Sequence, residues 1–523
     1  MFVRKKKNSS GSISVQIISK KSGKYKVVET VGYSKDEKEI EKLYQEAQAK
    51  IKELEPTLLD FIKYQQNQQK LSNKNIRAIG DELIFGKIFK DIGCENITTI
   101  KRDKDKEIFK ALVLSRLLYA GSKLYLIDYY QIYKKQKIEK NSIYRFLDKL
   151  YQQDIKNQIE ECVFKHTQKI MKGAVTVSFY DVTTLYFESE SEDDLRKIGF
   201  SKEGKLARPQ ILLGLFTTLE GYPLSYEVYE GNKYEGHTLI DILKKFQSKF
   251  KLKNRPIVVA DRGMLSNANI GYLESNDYKY ILAYKIKNIP NKLKNKIANL
   301  LFINDRVIHT IEYEKEIEYK DENGEKQKLF IKQKLILTYS SKRAKKDKRT
   351  REKAIEKIEK VLSKRHITKS DLKLSYYTKY LDVDEKCKIK YKLNPDKVLQ
   401  DEKLDGIKGF ATNDFTLDAN DVIAHYKNQY EVERAFRISK TDLKIRPIYH
   451  RLENRIKAHI LISFISYSIY KEFERRIKSS SIDVKFKLTF DYIKTMYGYK
   501  TIFGIEPFEM DDIQQQIYDA IYQ

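Results

Sequence analysis

The sequence predicts a multidomain α+β/α/β protein built on a mixed sheet, and three observations predict it. The chain has 523 residues, more than one ordinary core serves, so two to four domains are expected. From residue 174 three strand-like runs are followed by alternating helical and strand-like segments, the texture of a mixed sheet covered by helices. A strand-rich stretch over 290–400 then separates this texture from its return near 405, as an insertion would.

At the amino-terminal end, SISVQII (12–18) and YKVVETVGY (25–33) alternate in the strand manner around a Lys-Lys-Ser-Gly turn, which reads as a hairpin. Helical patterns come next at 38–56, 106–122 and 141–171, the last two enclosing the basic link KKQKIEK. Asn141 or Ser142 caps the helix that carries Tyr144, Arg145 and Lys149. Helices around a basic turn suit a helix-turn-helix-like DNA reader, with Arg145 as a DNA contact. A helical bundle with a solvated basic rim fits the same pattern.

AVTVSFYDVTTLYF, PQILLGLFTT and YPLSYEVYEG then read as strands, HTLIDILKKFQSKF as a helix and RPIVVAD as a short buried strand. SNANIGYLES is a helix and YKYILAYKI another strand. Two further strands lie around a DENGEK turn, and 341–365 is a strongly basic helix, suited to a solvated face or to lying along phosphates. GIKGFATND resumes the sheet, a long helix runs from about Asp421 to Lys440, and ENRIKAHILISFISYSIYKEFERRI is a second. The expected domains are 1–170 (hairpin and mostly helical DNA-binding region), 171–289 and 405–475 (two parts of an α/β core), 290–404 (β-rich insertion with the basic helix) and 476–523 (C-terminal helical region).

Hydrophobic residues make up 41% and aromatics 12%, enough to exclude disorder across the whole chain. Lys and Arg number 101 against 73 Asp and Glu, a formal net charge of +28. The isoelectric point is near 9.4. That excess implies a polyanionic partner, either nucleic acid or an anionic membrane. No run approaches the ~18 apolar residues that span a bilayer, and no apolar stretch of a signal peptide follows the basic start. Nucleic acid is therefore the expected partner, and a membrane is not. Cys94, Cys162 and Cys387 are widely spaced and odd in number. They fit neither a disulfide framework nor a zinc ribbon and imply a reducing, cytoplasmic (nucleoid-associated) setting.

Three acids stand out by position. Asp181 ends the apolar phase Val175, Val177, Phe179, and Asp261 closes the buried run Ile257–Ala260, where open α/β sheets place their ligands. Glu433 lies seven residues from both Tyr426 and Lys440, so the three form one helical stripe drifting about 20° per heptad. Singly, each acid has an ordinary reading: Asp261 a turn former or cap, Asp181 a partner of a neighbouring Lys, Glu433 a solvated helix charge. Glu431 is the competing third acid, but it sits about 200° around the helix from Glu433, off the stripe.

In combination these residues resemble the DDE transposases of bacterial insertion sequences, in the branch with a Tyr-x2-Arg-x3-Glu-x6-Lys signature. YKNQYEVERAFRISK carries Tyr426, Gln429, Glu433 and Lys440 at those spacings. ADRGMLS is similar to the family's second-aspartate motif, SFYDVTTLYF to its first, and YHRLENRIKAHI to the segment after the catalytic helix. Gln429 departs from the signature arginine; it can hydrogen-bond a phosphate but brings no charge. The resemblance implies a ribonuclease-H-like core interrupted by a β-rich insertion. It also implies that Asp181, Asp261 and Glu433 are catalytic and hold two Mg²⁺ or Mn²⁺ ions, about 4 Å apart, for in-line displacement. Water as nucleophile gives cleavage at the element's ends, and the freed 3′-hydroxyl gives strand transfer.

The implied partners are double-stranded DNA (terminal inverted repeats and target) and a second copy of the chain in a synaptic homodimer. Tyr426, Gln429 and Lys440 are the implied DNA contacts. Arg262 and His237 fit DNA contacts or structural roles equally, and His459, on an apolar helix face, fits a satisfied core histidine. A catalytically silent DNA-binding descendant and a ribonuclease-H-like nuclease or resolvase are the alternatives.

Overall fold

The computed structural model describes residues 1–523 apart from 22–23, 55–72, 173–174, 203, 206, 253–254, 285, 322–323, 364–377, 385–389 and 502–503. Cys387 and parts of the two hairpin turns read from the sequence lie outside the described residues. The chain forms two compact units. One comprises Met1–Lys87, Lys123–Lys140 and Arg476–Gln523, the other Ile88–Ser122 and Asn141–Arg475. No helix among the described residues is long and apolar enough to cross a membrane.

In the first unit, β1 (Phe2–Lys7), β2 (Ile13–Lys21) and β3 (Lys24–Ser34) form an antiparallel sheet. Val15 and Ile17 of β2 pack on Ile40 and Ala47 of α1 (Glu37–Leu54). The hairpin is the one read from the sequence; β1 is additional, because FVRKKK has no apolar alternation to announce it. Strand β4 (Ile76–Ala78) pairs with Tyr497–Lys500, which pairs with Ile505–Pro507. The C-terminal segment expected to be helical therefore also contributes two strands, each too short to show a period.

The second unit holds the functional core. Helix α2 (Asp103–Leu118) is buried over most of its length. The helix expected over 141–171 is two helices, α3 (Lys140–Leu150) and α4 (Gln153–Ile170), because Gln152 is extended at ψ 131. Helix α3 begins at Lys140, so Asn141 and Ser142 lie inside its first turn and not at its cap.

The central sheet contains β5 (Val177–Tyr186), β6 (Gln210–Thr218), β7 (Pro223–Glu230), β8 (Ile257–Ala260), β9 (Tyr280–Tyr284), β10 (Ile308–Lys320), β11 (Lys326–Tyr339) and β14 (Ile407–Thr412). They lie in the order β10-β11-β14-β9-β8-β5-β6-β7. Among the described residues of these strands, β5–β8 and β8–β9 pair in parallel and the other neighbours antiparallel. The sheet is thus mixed, and its apolar side chains pack with α5 (Thr238–Phe250) and α6 (Asn267–Ser275). Residues 290–404 give this sheet two of its strands and also form a separate pair, β12 (Leu381–Asp384) with β13 (Lys390–Leu393). Helix α7 (Ser341–Leu362) follows β11.

The single helix expected from Asp421 to Lys440 is two, α8 (Ala419–Lys427) and α9 (Tyr430–Thr441). No Gly or Pro marks the joint. Gln429 N bonds Tyr426 O (3.1 Å) and Val432 N bonds Gln429 O (3.2 Å). These i→i−3 bonds tighten the turn and shift the helical phase. Helix α10 (Glu453–Ser479) follows as expected.

Candidate active site

Strand β5 is buried on both faces. Tyr180 and Val182 are fully enclosed on one, Phe179 and Thr183 on the other, which is what a central strand of Val, Phe, Tyr and Thr produces. Asp181 escapes enclosure for a topological reason. The parallel ladder between β5 and β8 ends at Tyr180 paired with Ala260, so the chains continue past it with no strand between Asp181 and Asp261. Asp181, within β5, and Asp261, just past the end of β8, thus lie at the same level of adjacent strands, about 5 Å apart in the backbone by sheet geometry.

A cavity of about 1140 Å³ opens there, and Asp181, Asp261, Tyr426, Gln429, Glu433 and Lys440 all line it. The helix joint breaks the heptad count from Tyr426 to Glu433, yet all three residues of the expected stripe reach the cavity. Tyr426 donates its hydroxyl to Asp261 Oδ1 at 3.1 Å and its ring lies 4.7 Å from that of Phe410. Its phenol is pushed up by burial and then by the Asp261 carboxylate. Lys440 donates to Thr183 Oγ1 at 2.6 Å. Burial, helped by Lys202, lowers its ammonium to about 8.

Glu431 points elsewhere. Its Oε2 lies 3.3 Å from Arg434 and 3.6 Å from Lys471, in a network completed by Glu474. That leaves Glu433, exposed, as the acid of α9 that lines the cavity with the two aspartates.

Lys202 and Glu235 carry no signal in the sequence. Lys202 Nζ donates to Val182 O at 2.6 Å and lies 3.1 Å from Glu235 Oε1 and 3.9 Å from Asp181 Oδ1. Burial pushes the Asp181 carboxyl up to about 6, against the pull of Lys202 and of the Val182 N–H (2.8 Å); Glu235 and Asp261 push it further. Arg306, Lys408 and Arg446 add cationic lining.

Of the other sequence candidates, Arg262 directly follows Asp261 and draws the Tyr426 phenol down, whereas Arg145 and His237 lie off the large cavity. Arg262 lines a separate cavity of about 360 Å³ that shares Tyr426, Lys408 and Phe410 with the first. Arg145 is exposed on α3, and His237 is exposed beside the Tyr234 ring (5.2 Å); neither lines the large cavity. His459 is the satisfied core histidine expected: Nε2 donates to Ile445 O at 2.9 Å and Nδ1 lies 3.3 Å from Arg116. Cys94 and Cys162 are free thiols.

Carboxylates from adjacent strands, that of Asp181 half-buried with its charge incompletely compensated, fit a hard divalent cation. Among the described residues no three His, Cys, Asp or Glu side chains converge as a ready-made metal cluster. Mg²⁺ usually keeps several waters and is bound through one or two carboxylates, which Asp181 and Asp261 can supply.

Residues 175–469, more than half of the chain, match the family model described as the transposase DDE domain. No curated protein matches the sequence. Among solved structures, the chain is similar to the piggyBac transposase synaptic complex with hairpin DNA, determined by cryo-EM. The identity is 9% over 85% of this chain and 84% of that one, with a TM-score of 0.37.

Proposed function

The chain belongs to the transposase DDE-domain family and is a DNA transposase; from that premise we propose that Asp181, Asp261 and Glu433 are its catalytic carboxylates. The observation that carries this reading is that Asp181, within β5, and Asp261, just past the end of the adjacent β8, lie at the same level, with Glu433 lining the same cavity.

In this mechanism Asp181, Asp261 and Glu433 would hold the divalent ions, Mg²⁺ or Mn²⁺ and two in number. Such ions supply activation of the attacking oxygen and stabilisation of the leaving one in an in-line displacement at phosphorus. Tyr426 positions Asp261 through its hydrogen bond. Lys440, partly buried, holds a non-bridging phosphate oxygen as a point charge, and Gln429 contacts the DNA backbone without charge. Water attacks at the element's ends, and the 3′-hydroxyl it frees attacks target DNA.

The finer reading is an insertion-sequence enzyme of the Tyr-Arg-Glu-Lys branch with a ribonuclease-H-like core. Tyr426, Glu433 and Lys440 at the signature spacing support it. Its partners would be terminal inverted repeats and target DNA, with a homodimer because two ends must be held together.

D181N, D261N and E433Q are each expected to cut Mg²⁺-dependent cleavage of the cognate ends on the order of 10³-fold or more, while DNA binding persists. Cleavage at the wild-type rate by any of the three removes that residue from the site. Strand-transfer products from an inverted-repeat substrate separate a transposase from a simple nuclease, and no nicking by the wild type with Mg²⁺ or Mn²⁺ identifies a silent DNA-binding descendant.

A further inference from the structure

Helix α7 is fixed to its unit by one face. Arg351, 5% exposed, pairs with Asp405 and lies 3.5 Å from Glu402, and Ala354 and Ile358 join a small core with Tyr380 and Leu381. At 100° per residue, Lys342, Lys345, Lys346, Arg349 and Lys353 fall within an arc of about 100° on the opposite side. All five are exposed. Among the described residues the ion pairs of this helix are made by Arg343, Arg351 and Lys360, not by these five. The acids of the same stretch, Asp347 and Glu352, fall outside the arc.

Helix stability does not explain the row. Lys342 and Lys346, Lys345 and Arg349, and Arg349 and Lys353 are like charges at i,i+4 that repel. Cations in the first turns also oppose the helix dipole. The row weakens the isolated helix; Glu356 answers Lys353, and an anion outside the helix relieves the rest. It also begins where the wall of the active-site cavity ends: Thr338, Tyr339, Ser340 and Arg306 line that cavity, and Ser340 caps α7.

We propose that this face of α7 is a second duplex-DNA contact, gripping phosphates of the duplex whose scissile bond enters the cavity. Lys342 to Lys353 span about 16 Å, along which a B-form duplex presents about ten phosphates over both strands. The proposal rests on the family's DNA substrate and not on the carboxylate assignment, so its test contains no metal.

The test measures the affinity of the full-length protein for a duplex of about 40 bp of arbitrary sequence across about 50–200 mM salt, since the phosphate contribution is independent of sequence. Wild type is compared with K342Q/K345Q/K346Q/R349Q. The slope of log affinity against log salt is expected to be shallower in the variant by about 3–4, so wild type loses roughly 100-fold more affinity over that range. The charge-keeping K342R/K345R/K346R is expected to retain the wild-type slope, and the glutamine variant to melt no lower than wild type. A slope change below about 1 makes the row a solvated face and overturns the proposal. So does loss of slope in the arginine variant, or a lowered melting temperature in the glutamine variant. Metal-dependent cleavage surviving in D181N defeats the carboxylate reading and leaves this one standing.

Discussion

Asp181 lies on a strand whose neighbouring side chains are completely enclosed, and its own side chain is 19% exposed. Burial raises its carboxyl to about 6 although Lys202 and a backbone N–H draw it down. Holding a carboxylate there costs the metal-free protein stability. D181N keeps the acceptor for the Val182 N–H and removes the charge, so it is expected to raise the melting temperature in metal-free buffer at pH 7.5 by a few degrees while abolishing cleavage. An unchanged or lower melting temperature shows instead that Lys202 and the Val182 N–H compensate the charge in full. Asp181 and Asp261 were legible in the sequence because each ends an apolar run, and the strand period says where such a side chain points. Lys202 and Glu235 were not, because they sit in segments with no period and matter only through what the fold brings beside them.

The eight strands of the central sheet were legible because each carries enough β-branched and aromatic residues to show its period or its burial. The joint between α8 and α9 was not, since Asn428 and Gln429 carry no breaker and the tightening lies in hydrogen-bond register. The approach of α9 to the turn between β6 and β7 is tertiary. Gly221 in that turn has φ +82, and a Cβ there would meet Glu431 Oε2 at 3.0 Å and Glu431 Cβ at 3.3 Å. Gly221→Ala therefore meets two penalties, a left-handed backbone with a side chain and a displaced Glu431. The expected loss is about 1–3 kcal/mol, read as a lower urea midpoint. A midpoint equal to wild type means the turn relaxes without moving α9.

For the whole molecule, acid is the condition that separates its charge networks from its apolar cores. Glu474 is buried, which raises its carboxyl, but Arg434 and Lys471 overcome this and hold it at about 2, below its ordinary 4.5. Arg455 likewise lowers Asp148, and Lys379 lowers Asp401 against burial. A depressed folded-state value means the contribution is complete above the unfolded value and is lost as pH falls through the folded one. For Glu474 that window runs from about 4.5 down to about 2, and the shift corresponds to about 3 kcal/mol. Protonation also adds to a net charge that is already +28 at pH 7, so self-repulsion grows over the same interval. The chain has no Trp, which makes circular dichroism the suitable probe. The urea midpoint of wild type is expected to fall steeply between pH 4.5 and 2. E474Q should start lower at pH 7 and fall less, so that the two curves converge near pH 2. Curves that stay parallel across the interval would mean that the clamp between α9 and α10 holds by shape and hydrogen bonds, with the Glu474 charge contributing nothing to it.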